Sequence, residues 1–476
     1  MRVSPMASSR TKPTPLARFA ADRRGNVLMI MAFAMIPLTA ATGMAIDYSR
    51  AARLQTKVNS AADAAALAAV TTPMMTQSTQ NAAEAAAKMF INQVSALNGM
   101  TWKTALRASP TVTKALLSYT IDYGAFRVVV TDVDVTGLNR TATVSYDALS
   151  DNAFKGVLGL SKSGIGGSAT ATAKVAPDID FFVLLDTSSS MGLPSTTAGL
   201  AKMKSLTPGQ CAFACHQSNL DDANERAYTK EGKLSDFYGV AKSYGIQLRS
   251  DEASKAVSDM MDLAKSTAEK NGAYYRAALA TFAASGTNSA YNTYRIRQSM
   301  TTSLSTVKTQ ANAAQLSLYY KNNYVLSSYN NNDTDTATSD AFTRSNANMA
   351  TPGNGKHTDK PQGIMFVVTD GMRDEARPGG SKPEVVIDTA LCDTIKARGI
   401  RIAILYTEYL PEAINNLSWA TDPNQGNVLN RVPLIEPALQ ACASSGLYYK
   451  VTTDDDISAA LKQLFSAAVA TARLTD

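Results

Sequence analysis

The stretch that most constrains the fold is an unbroken apolar run from Phe181 to Leu185, which ends at the carboxylate of Asp186. Such a run predicts a strand buried on both faces, which is typical of a parallel sheet covered by helices. Two hydroxyls follow, those of Ser188 and Ser190, and oxygen ligands of this kind suit Mg²⁺, Ca²⁺ or Mn²⁺. The same side chains are also suited to capping the next helix, so the motif alone leaves both interpretations open.

A second apolar run with the same kind of ending lies far downstream. It spans Gly363–Thr369 and is followed by Asp370 and a turn glycine. Because the carboxyl ends of parallel strands lie along one edge of a sheet, we expect Asp186 and Asp370 to be neighbours in space. Strand and helix patterns alternate through residues 177–476, which predicts an α/β domain with a doubly wound, mostly parallel sheet.

These two strand ends, together with a threonine on the polar loop between them, resemble the metal-ion-dependent adhesion site (MIDAS) of von Willebrand factor type A (vWA) domains. The loop offers Thr334, and Thr336 is a close alternative because a slip of two residues fits equally well. The resemblance implies a divalent cation, Mg²⁺ or alternatively Mn²⁺ or Ca²⁺. Its implied ligands are Asp186, Ser188, Ser190, Thr334 and Asp370.

The resemblance also implies a role for each ligand. Ser188 and Ser190 would bind the cation directly, whereas Thr334 and Asp370 would bind directly or through water, depending on the conformational state. A carboxylate of a partner protein would take the open position. The site would then be a switchable adhesive contact in which no bond is made or broken. The alternative is a degenerate vWA fold whose metal, if any, is only structural.

The N-terminal residues have the charge pattern of a membrane anchor. Six basic residues and one acidic residue precede Gly25, and Val27–Ile46 then contains twenty residues without a charge. As a helix this segment is about 30 Å long, which matches the hydrocarbon core of a bilayer. The pattern predicts a cytoplasmic tail over 1–25, a spanning helix over 26–46 and an exported remainder. The alternative is a cleaved signal peptide with Gly43-Met44-Ala45 as its small-residue site.

The net charge of the chain is +6, and most of it lies in this basic tail. The rest of the chain is therefore close to neutral. A basic overall composition gives no argument for nucleic-acid binding here, and we expect none.

An alanine-rich segment follows the anchor and predicts a helical continuation across residues 47–99. Four elements together resemble the N-terminus of TadE- and TadG-like proteins, which belong to the machinery that assembles Flp (Tad) pili. The elements are Arg24-Gly25-Asn26, Ile46-Asp47-Tyr48, Leu54-Gln55 and Ala61–Ala68. Pilins of these systems are cut after a glycine that has a glutamate five residues on. Ile30 stands at that distance here, which favours a permanent anchor over a processed subunit.

Residues 100–176 contain three stretches that alternate around β-branched residues. They predict a small strand-rich spacer between the membrane and the large domain. We find no constellation in this spacer that indicates a chemical role.

The four cysteines favour pairing in a chain that is predicted to be exported. A Cys392–Cys442 bridge would join two predicted helices and close a loop of about fifty residues, worth roughly 4 kcal/mol on the chain-entropy estimate. A Cys211–Cys215 bridge would close about five residues and contribute roughly half as much. The stretch up to His216 is one residue longer than a Cys-x-x-Cys-His haem attachment, so haem, zinc and free thiols stay open as alternatives.

Together these features predict a membrane-anchored assembly or adhesion factor of a Flp (Tad) type IV pilus. The resemblance implies the bacterial inner membrane, a cytoplasmic N-terminus and a C-terminal domain that is periplasmic or exported. The expected partners are other pilus-assembly proteins, one of which supplies the carboxylate that completes the metal site. The alternative is a vWA-type envelope adhesin or binding protein unrelated to pili.

An enzyme is not expected. The sequence contains no Gly-x-Ser-x-Gly elbow, no P-loop lysine and no zincin helix. A Ser–His–Asp site would require His216 or His357 to fold back toward the serines, since these are the two histidines of the chain.

Overall fold

The structure is a computed structural model in which the chain divides into two compact units. Unit 1 comprises Met1–Thr131 and Arg140–Ala173, and unit 2 comprises Asp132–Asn139 and Lys174–Asp476. The residues described are 16, 26–213, 218, 220–283, 294–318, 336–357, 359–375, 386–415, 418–421 and 428–472.

The helices of unit 1 begin with the predicted anchor. They are α1 (Asn26–Ala69), α2 (Thr72–Met75), α3 (Thr79–Val94) and α4 (Lys155–Leu158). The helical continuation predicted beyond the anchor is present up to Ala69, because α1 runs for 44 residues with Pro37 inside it. The chain then reverses, and α3 packs against α1 through buried alanines that allow the two backbones to approach closely.

The strands of unit 1 form an antiparallel sheet with β6 as an edge strand beside β5. They are β1 (Met100–Trp102), β2 (Thr111–Lys114), β3 (Ser118–Asp122), β4 (Phe126–Asp132), β5 (Asn139–Asp151) and β6 (Lys162–Lys174). Phe90 of α3 packs on Phe126 of β4 with ring centroids 5.0 Å apart. Residues 47–99 and the spacer, which the sequence suggests are separate regions, therefore share one core.

Polar contacts also join α1 to β5 and to the turn that follows it. The Asp47 carboxylate accepts hydrogen bonds from the backbone N–H groups of Ala153 and Phe154, at 2.7 and 3.2 Å. Farther along the helix, the Tyr146 hydroxyl donates to Asn59 Oδ1 at 2.7 Å. Asp47 is the first charged residue after the apolar stretch, so unit 1 is attached to α1 from that point onward.

Unit 2 is an α/β domain. Its strands are β7 (Ile179–Asp186), β8 (Arg226–Tyr228), β9 (Leu234–Asp236), β10 (Tyr275–Phe282), β11 (Arg295–Thr301), β12 (Gln362–Thr369), β13 (Ile400–Thr407) and β14 (Tyr448–Val451). Its helices are α5 (Thr197–Leu206), α6 (Phe237–Ser243), α7 (Arg249–Asn271), α8 (Leu304–Asn312), α9 (Thr338–Asn348), α10 (Thr389–Ala397), α11 (Val428–Cys442) and α12 (Ile457–Ala472).

The main sheet of unit 2 has the order β11-β10-β7-β12-β13-β14 and is parallel except for β11. Counted along the sheet's own strands this order is 3-2-1-4-5-6, so the direction of winding reverses between β7 and β12. Helices α7, α8 and α12 cover one face, and α9, α10 and α11 cover the other. The predicted fold class is confirmed.

The disulfide between Cys392 and Cys442 is present and joins α10 to α11 on one face of the sheet, with 5.2 Å between the Cα atoms. Cys215 lies outside the described residues, so the predicted Cys211–Cys215 bridge stays a prediction.

Candidate metal site

The site is organised around Asp186, the last residue of β7, whose carboxylate is fully buried. In the register of the sheet, Leu185 is opposite Val368 of β12, which places Thr369 beside Asp186. The Thr369 hydroxyl donates a hydrogen bond to Asp186 Oδ2 at 2.6 Å. One carboxylate oxygen is thus held by the neighbouring strand.

The other oxygen of Asp186 is held by the turn that follows β7. Ser188 donates to Asp186 Oδ1 twice, from its hydroxyl at 2.6 Å and from its backbone N–H at 2.9 Å. A 3₁₀ turn, Ser189–Gly192, then brings the Ser190 hydroxyl to 3.2 Å from that of Ser188. Asp186 therefore orients the Ser188 hydroxyl directly, and both of its own oxygens are already engaged.

Asp370 follows β12 and completes this row of side chains. It forms a hydrogen bond with the Ser190 side chain, and its Oδ1 accepts from the Met372 N–H at 3.1 Å. Its Oδ2 is buried and has no hydrogen-bond partner among the described residues. A buried carboxylate oxygen without a donor is costly, so this atom indicates a place for a cation or a water molecule.

The turn after Asp370 requires glycine. Gly371 has a φ of +71°, a left-handed conformation that disfavours other residues. A Cβ atom at this position would clash with the Cγ2 atom of Ile435 and would lie 2.8 Å from Leu439 Cδ1, both on α11. Tight packing against α11 therefore fixes the direction in which Asp370 enters the site.

Burial and mutual repulsion disfavour the charged forms of the two carboxylates. Burial raises the pKa of Asp186 to about 7, and the charge of Asp370 adds to this effect. Burial likewise raises the pKa of Asp370 above its usual range. A divalent cation would offset both effects, because it interacts favourably with each ionised carboxylate.

Thr336 is fully described and lies at the same edge of the sheet. Its backbone pairs with that of Asp374 through two hydrogen bonds of 3.1 and 3.2 Å, four residues after Asp370. The next residue, Ala337, donates to the Ala283 carbonyl just beyond the end of β10. Thr334, the predicted ligand, lies outside the described residues and stays a prediction.

The donor set fits a hard divalent cation. The side chains that face one another are two carboxylates and two serine hydroxyls, and oxygen ligands favour Mg²⁺, Mn²⁺ or Ca²⁺. No group of three or more His, Cys, Asp or Glu side chains is placed to hold a metal in the described part of the chain. Ser188, Ser190 and Asp370 would hold the cation, with Asp186 positioned behind the serines.

Two residues of this region were not predicted from the sequence. In the sequence, Thr369 is only the end of an apolar strand. Once the register of β12 against β7 is known, a hydroxyl directly before Asp370 indicates a hydrogen-bond donor to Asp186. Arg249, the first residue of α7, is only 2% exposed. Burial lowers the pKa of Arg249, and the charge of Asp370 opposes this shift.

The histidines are not part of this arrangement where they are described. His357 Nδ1 lies 3.0 Å from Asp178 Oδ2, directly before β7 begins. Asp186 ends the same strand eight residues later, about 26 Å away at the usual rise per residue. His216 lies outside the described residues.

The family resemblance of the chain rests on its N-terminal helix. Residues 25–72 match the model of a family described as putative Flp pilus-assembly TadE/G-like. The match covers the N-terminal segment alone. It coincides with α1 and the first residue of α2. Among the described residues, Val27–Ala69 is the one helix long and apolar enough to cross a membrane, and its most apolar part is almost wholly exposed.

The chain is also similar to several solved structures. A von Willebrand factor type A protein from Catenulispora acidiphila is 9% identical over 76% of this chain and 52% of its own, with a TM-score of 0.28. The PilB minor pilin from Streptococcus sanguinis is 11% identical over 76% and 80%, with a TM-score of 0.32. Proximal thread matrix protein 1 from the mussel byssus, with a zinc-occupied MIDAS motif, is 12% identical over 62% and 49%, with a TM-score of 0.30.

The strand order 3-2-1-4-5-6 of the main sheet defines the doubly wound fold of unit 2. No curated protein matches the chain.

Proposed function

We propose that this protein is a membrane-anchored assembly or adhesion factor of a Flp (Tad) pilus. Unit 2 would be its head, making metal-dependent protein contacts outside the cytoplasm. The observation that carries this proposal is the buried row of two carboxylates and two serine hydroxyls at the winding reversal between β7 and β12. The TadE/G-like segment in the same chain supports the assignment to a pilus system.

The chain's own residues prepare the site for a cation. Asp186, fixed by Thr369 and the Ser188 backbone, orients the Ser188 hydroxyl. Asp370 offers an oxygen that accepts no hydrogen bond from the residues that the structure describes. When bound, the divalent cation supplies positive charge that attracts an acidic side chain of a partner. Partner binding of this kind requires no bond to be made or broken, which is why we propose a binding protein rather than an enzyme.

The anchor sets where such contacts would occur. The apolar half of α1 would cross the inner membrane, with the basic tail on the cytoplasmic side. Both units would then face the periplasm or the outside. The disulfide between α10 and α11 supports this placement, since disulfides persist mainly in oxidising compartments.

The first experiment is calorimetric titration of Mg²⁺ and of Mn²⁺ into the purified full chain in detergent. The wild type is compared with Asp370→Asn and with Asp393→Asn as a matched control. Asp393 lies on α10 with 71% of its side chain exposed, so its substitution leaves the site untouched. We expect binding in the wild type and the control and none in Asp370→Asn. A folded wild type that binds neither ion would refute the metal-dependent mechanism.

The second experiment tests the pilus assignment in the native host. Strains that carry Asp370→Asn or Asp393→Asn at the chromosomal locus are compared by electron microscopy for surface pili. We expect pilus number or adhesion to fall in the first strain alone. Normal pili and adhesion in the Asp370→Asn strain would favour an envelope binding protein unrelated to pili.

A further inference from the structure

A buried arginine stands beside the candidate metal site. Arg249 opens α7, and its backbone N–H donates to the Leu193 carbonyl at 2.9 Å. The N–H of Leu193 donates in turn to the carbonyl of Ser190 at 3.3 Å. The start of α7 is thereby tied to the turn that carries the serine ligands, and the positive end of the helix dipole lies in the same place.

The guanidinium of Arg249 is buried without hydrogen-bond partners for its terminal nitrogens. Nη1 and Nη2 are both buried, and neither donates to an atom of the described residues. A buried charge of this kind is strongly unfavourable unless opposite charge compensates it. The charge of Asp370 favours the charged form of the Arg249 guanidinium and so opposes the lowering of its pKa by burial.

Asp370 Oδ2 and the two Arg249 nitrogens therefore form an unusual pair. The acceptor and the donors are buried in one region, interact electrostatically, and make no direct hydrogen bond to each other. An open carboxylate oxygen and a fixed cation in one region suit ligands of both signs, a metal ion next to Asp370 and an anion next to Arg249.

The formal charges of the site follow from its residues. Two ionised aspartates and one arginine sum to −1 without a metal ion and to +1 with a divalent ion. Without the arginine, the occupied site would be neutral. A positive occupied site inside a protein is stabilised by an anionic ligand, whereas a neutral one has much less need of it.

We propose that Arg249 is a built-in cation of the metal site that makes the binding of a divalent ion and of an acidic ligand mutually dependent. The positive charge of Arg249 opposes the electrostatic attraction between the ion and the carboxylates of Asp186 and Asp370. The ion-bound site then carries a net positive charge, which a carboxylate of the ligand balances. The inference rests on the proposed function, because it concerns the same site. By reciprocity, the ligand must strengthen ion binding by the same factor by which the ion strengthens ligand binding.

The first test is titration of Mn²⁺ into the full-length wild type, Arg249→Met and Arg249→Lys. Arg295→Met serves as the control, since Arg295 is exposed on the edge strand β11. We expect Arg249→Met to bind Mn²⁺ at least about tenfold more tightly than wild type, because one positive charge next to the ion has been removed. Arg249→Lys, which keeps the charge, and the control should bind like wild type. Equal affinities for wild type and Arg249→Met would overturn the inference.

The second test repeats the titration in the presence of sodium acetate, with sodium chloride at equal ionic strength as the reference. Acetate stands in for an acidic side chain. We expect it to tighten Mn²⁺ binding several-fold in the wild type and to have little effect in Arg249→Met. An equal effect of acetate on the two chains would overturn the inference.

The third test is independent of metal and uses thermal unfolding in EDTA. Arg249→Met is introduced into the wild type and into Asp370→Asn. We expect the midpoint to fall by several degrees in the wild-type background and by less than half as much when Asp370 is already neutral. Equal falls would show that the two groups do not interact, which contradicts the inference. Arg249→Gln repeats the comparison if Arg249→Met fails to fold.

The outcomes separate the inference from the proposed function. If wild type binds Mn²⁺ and Arg249→Met binds it no more tightly, the inference fails and the metal-dependent function stands. If only Arg249→Met binds Mn²⁺, the inference and the metal-dependent function both fail for the native chain, because Arg249 then replaces the metal ion instead of coupling it to a ligand. If neither binds, both fail.

Discussion

Thr369 offers a direct test of how the site is built. Its hydroxyl donates to Asp186 Oδ2 at 2.6 Å and accepts from the Gly371 N–H at 2.9 Å. Thr369→Val removes both interactions with almost no change of volume. A hydrogen bond to a buried carboxylate contributes about 1.5–3 kcal/mol, and an unpaired buried N–H costs about 1–3 kcal/mol. We therefore expect the free energy of unfolding to fall by about 3–5 kcal/mol.

The assay is urea unfolding of the full chain in mild detergent with EDTA present. The chain has two tryptophans, and a Trp102→Phe background leaves Trp419 in unit 2 as the fluorescent probe. Thr369→Ser is the matched control, because it keeps the hydroxyl and should stay within about 1 kcal/mol of the parent. A loss below 1 kcal/mol in Thr369→Val would refute the role assigned to this hydroxyl.

Three further outcomes are expected. Replacing Cys392 and Cys442 by alanine should lower the free energy of unfolding of unit 2 by roughly 4 kcal/mol, from the fifty residues between them, as measured by urea titration against the oxidised parent. In metal-free protein, the raised pKa values of Asp186 and Asp370 should make the free energy of unfolding fall as pH rises from about 4 to about 7, because the folded state retains protons that the unfolded state releases. The affinity for Mn²⁺ should rise over the same range. If neither the free energy of unfolding nor the Mn²⁺ affinity changes with pH, the two aspartates are not the buried acidic groups of a metal site. Gly371→Ala should cost about 2–4 kcal/mol from backbone strain and overpacking against α11, and thermal unfolding at parental temperature would show that the turn can relax.

The strands that form the centre of unit 2 were predictable from the sequence. Every residue of β7 and β12 is buried, and the apolar runs Phe181–Leu185 and Ile364–Val368 form their centres. The carboxylates of Asp186 and Asp370 follow these runs within two residues. The same argument predicts which edge of the sheet carries the site, since parallel strands share one carboxyl edge. The helix positions of Cys392 and Cys442 likewise followed from periodicity.

Peripheral elements of unit 2 were not predicted. Strand β11 is an edge strand with mostly exposed or half-buried residues, and its composition, Arg-Ile-Arg-Gln-Ser-Met-Thr, has little apolar pattern. Helix α11 runs from Val428 to Cys442 with Pro433 and Pro437 within it, although proline ordinarily interrupts a helix. Both elements are stabilised by packing against the sheet, and this packing cannot be predicted from the local sequence.

The residues of the site that lie at strand ends were predictable from the sequence, whereas the residues that contact and position them were not. Thr369 and Asp186 become partners only through the register of β7 against β12, which no local pattern reveals. Arg249 follows a long insertion, and an arginine at the start of a charged helix ordinarily indicates a solvated residue. Arg249 is buried because the chain returns to the turn after β7 at this point, where its backbone N–H donates to the Leu193 carbonyl.

The continuity of α1 has a mechanical consequence. The helix passes from its apolar half into the folded core of unit 1 without a linker. Where the apolar half ends, Asp47 accepts hydrogen bonds from the turn after β5. If that half lies in a bilayer, the anchor and unit 1 tilt and rotate as one rigid body. A force applied to unit 1 would then act on the membrane as a torque on the helix. Forces parallel to the membrane plane would be transmitted to the helix, because no flexible linker separates it from the core of unit 1.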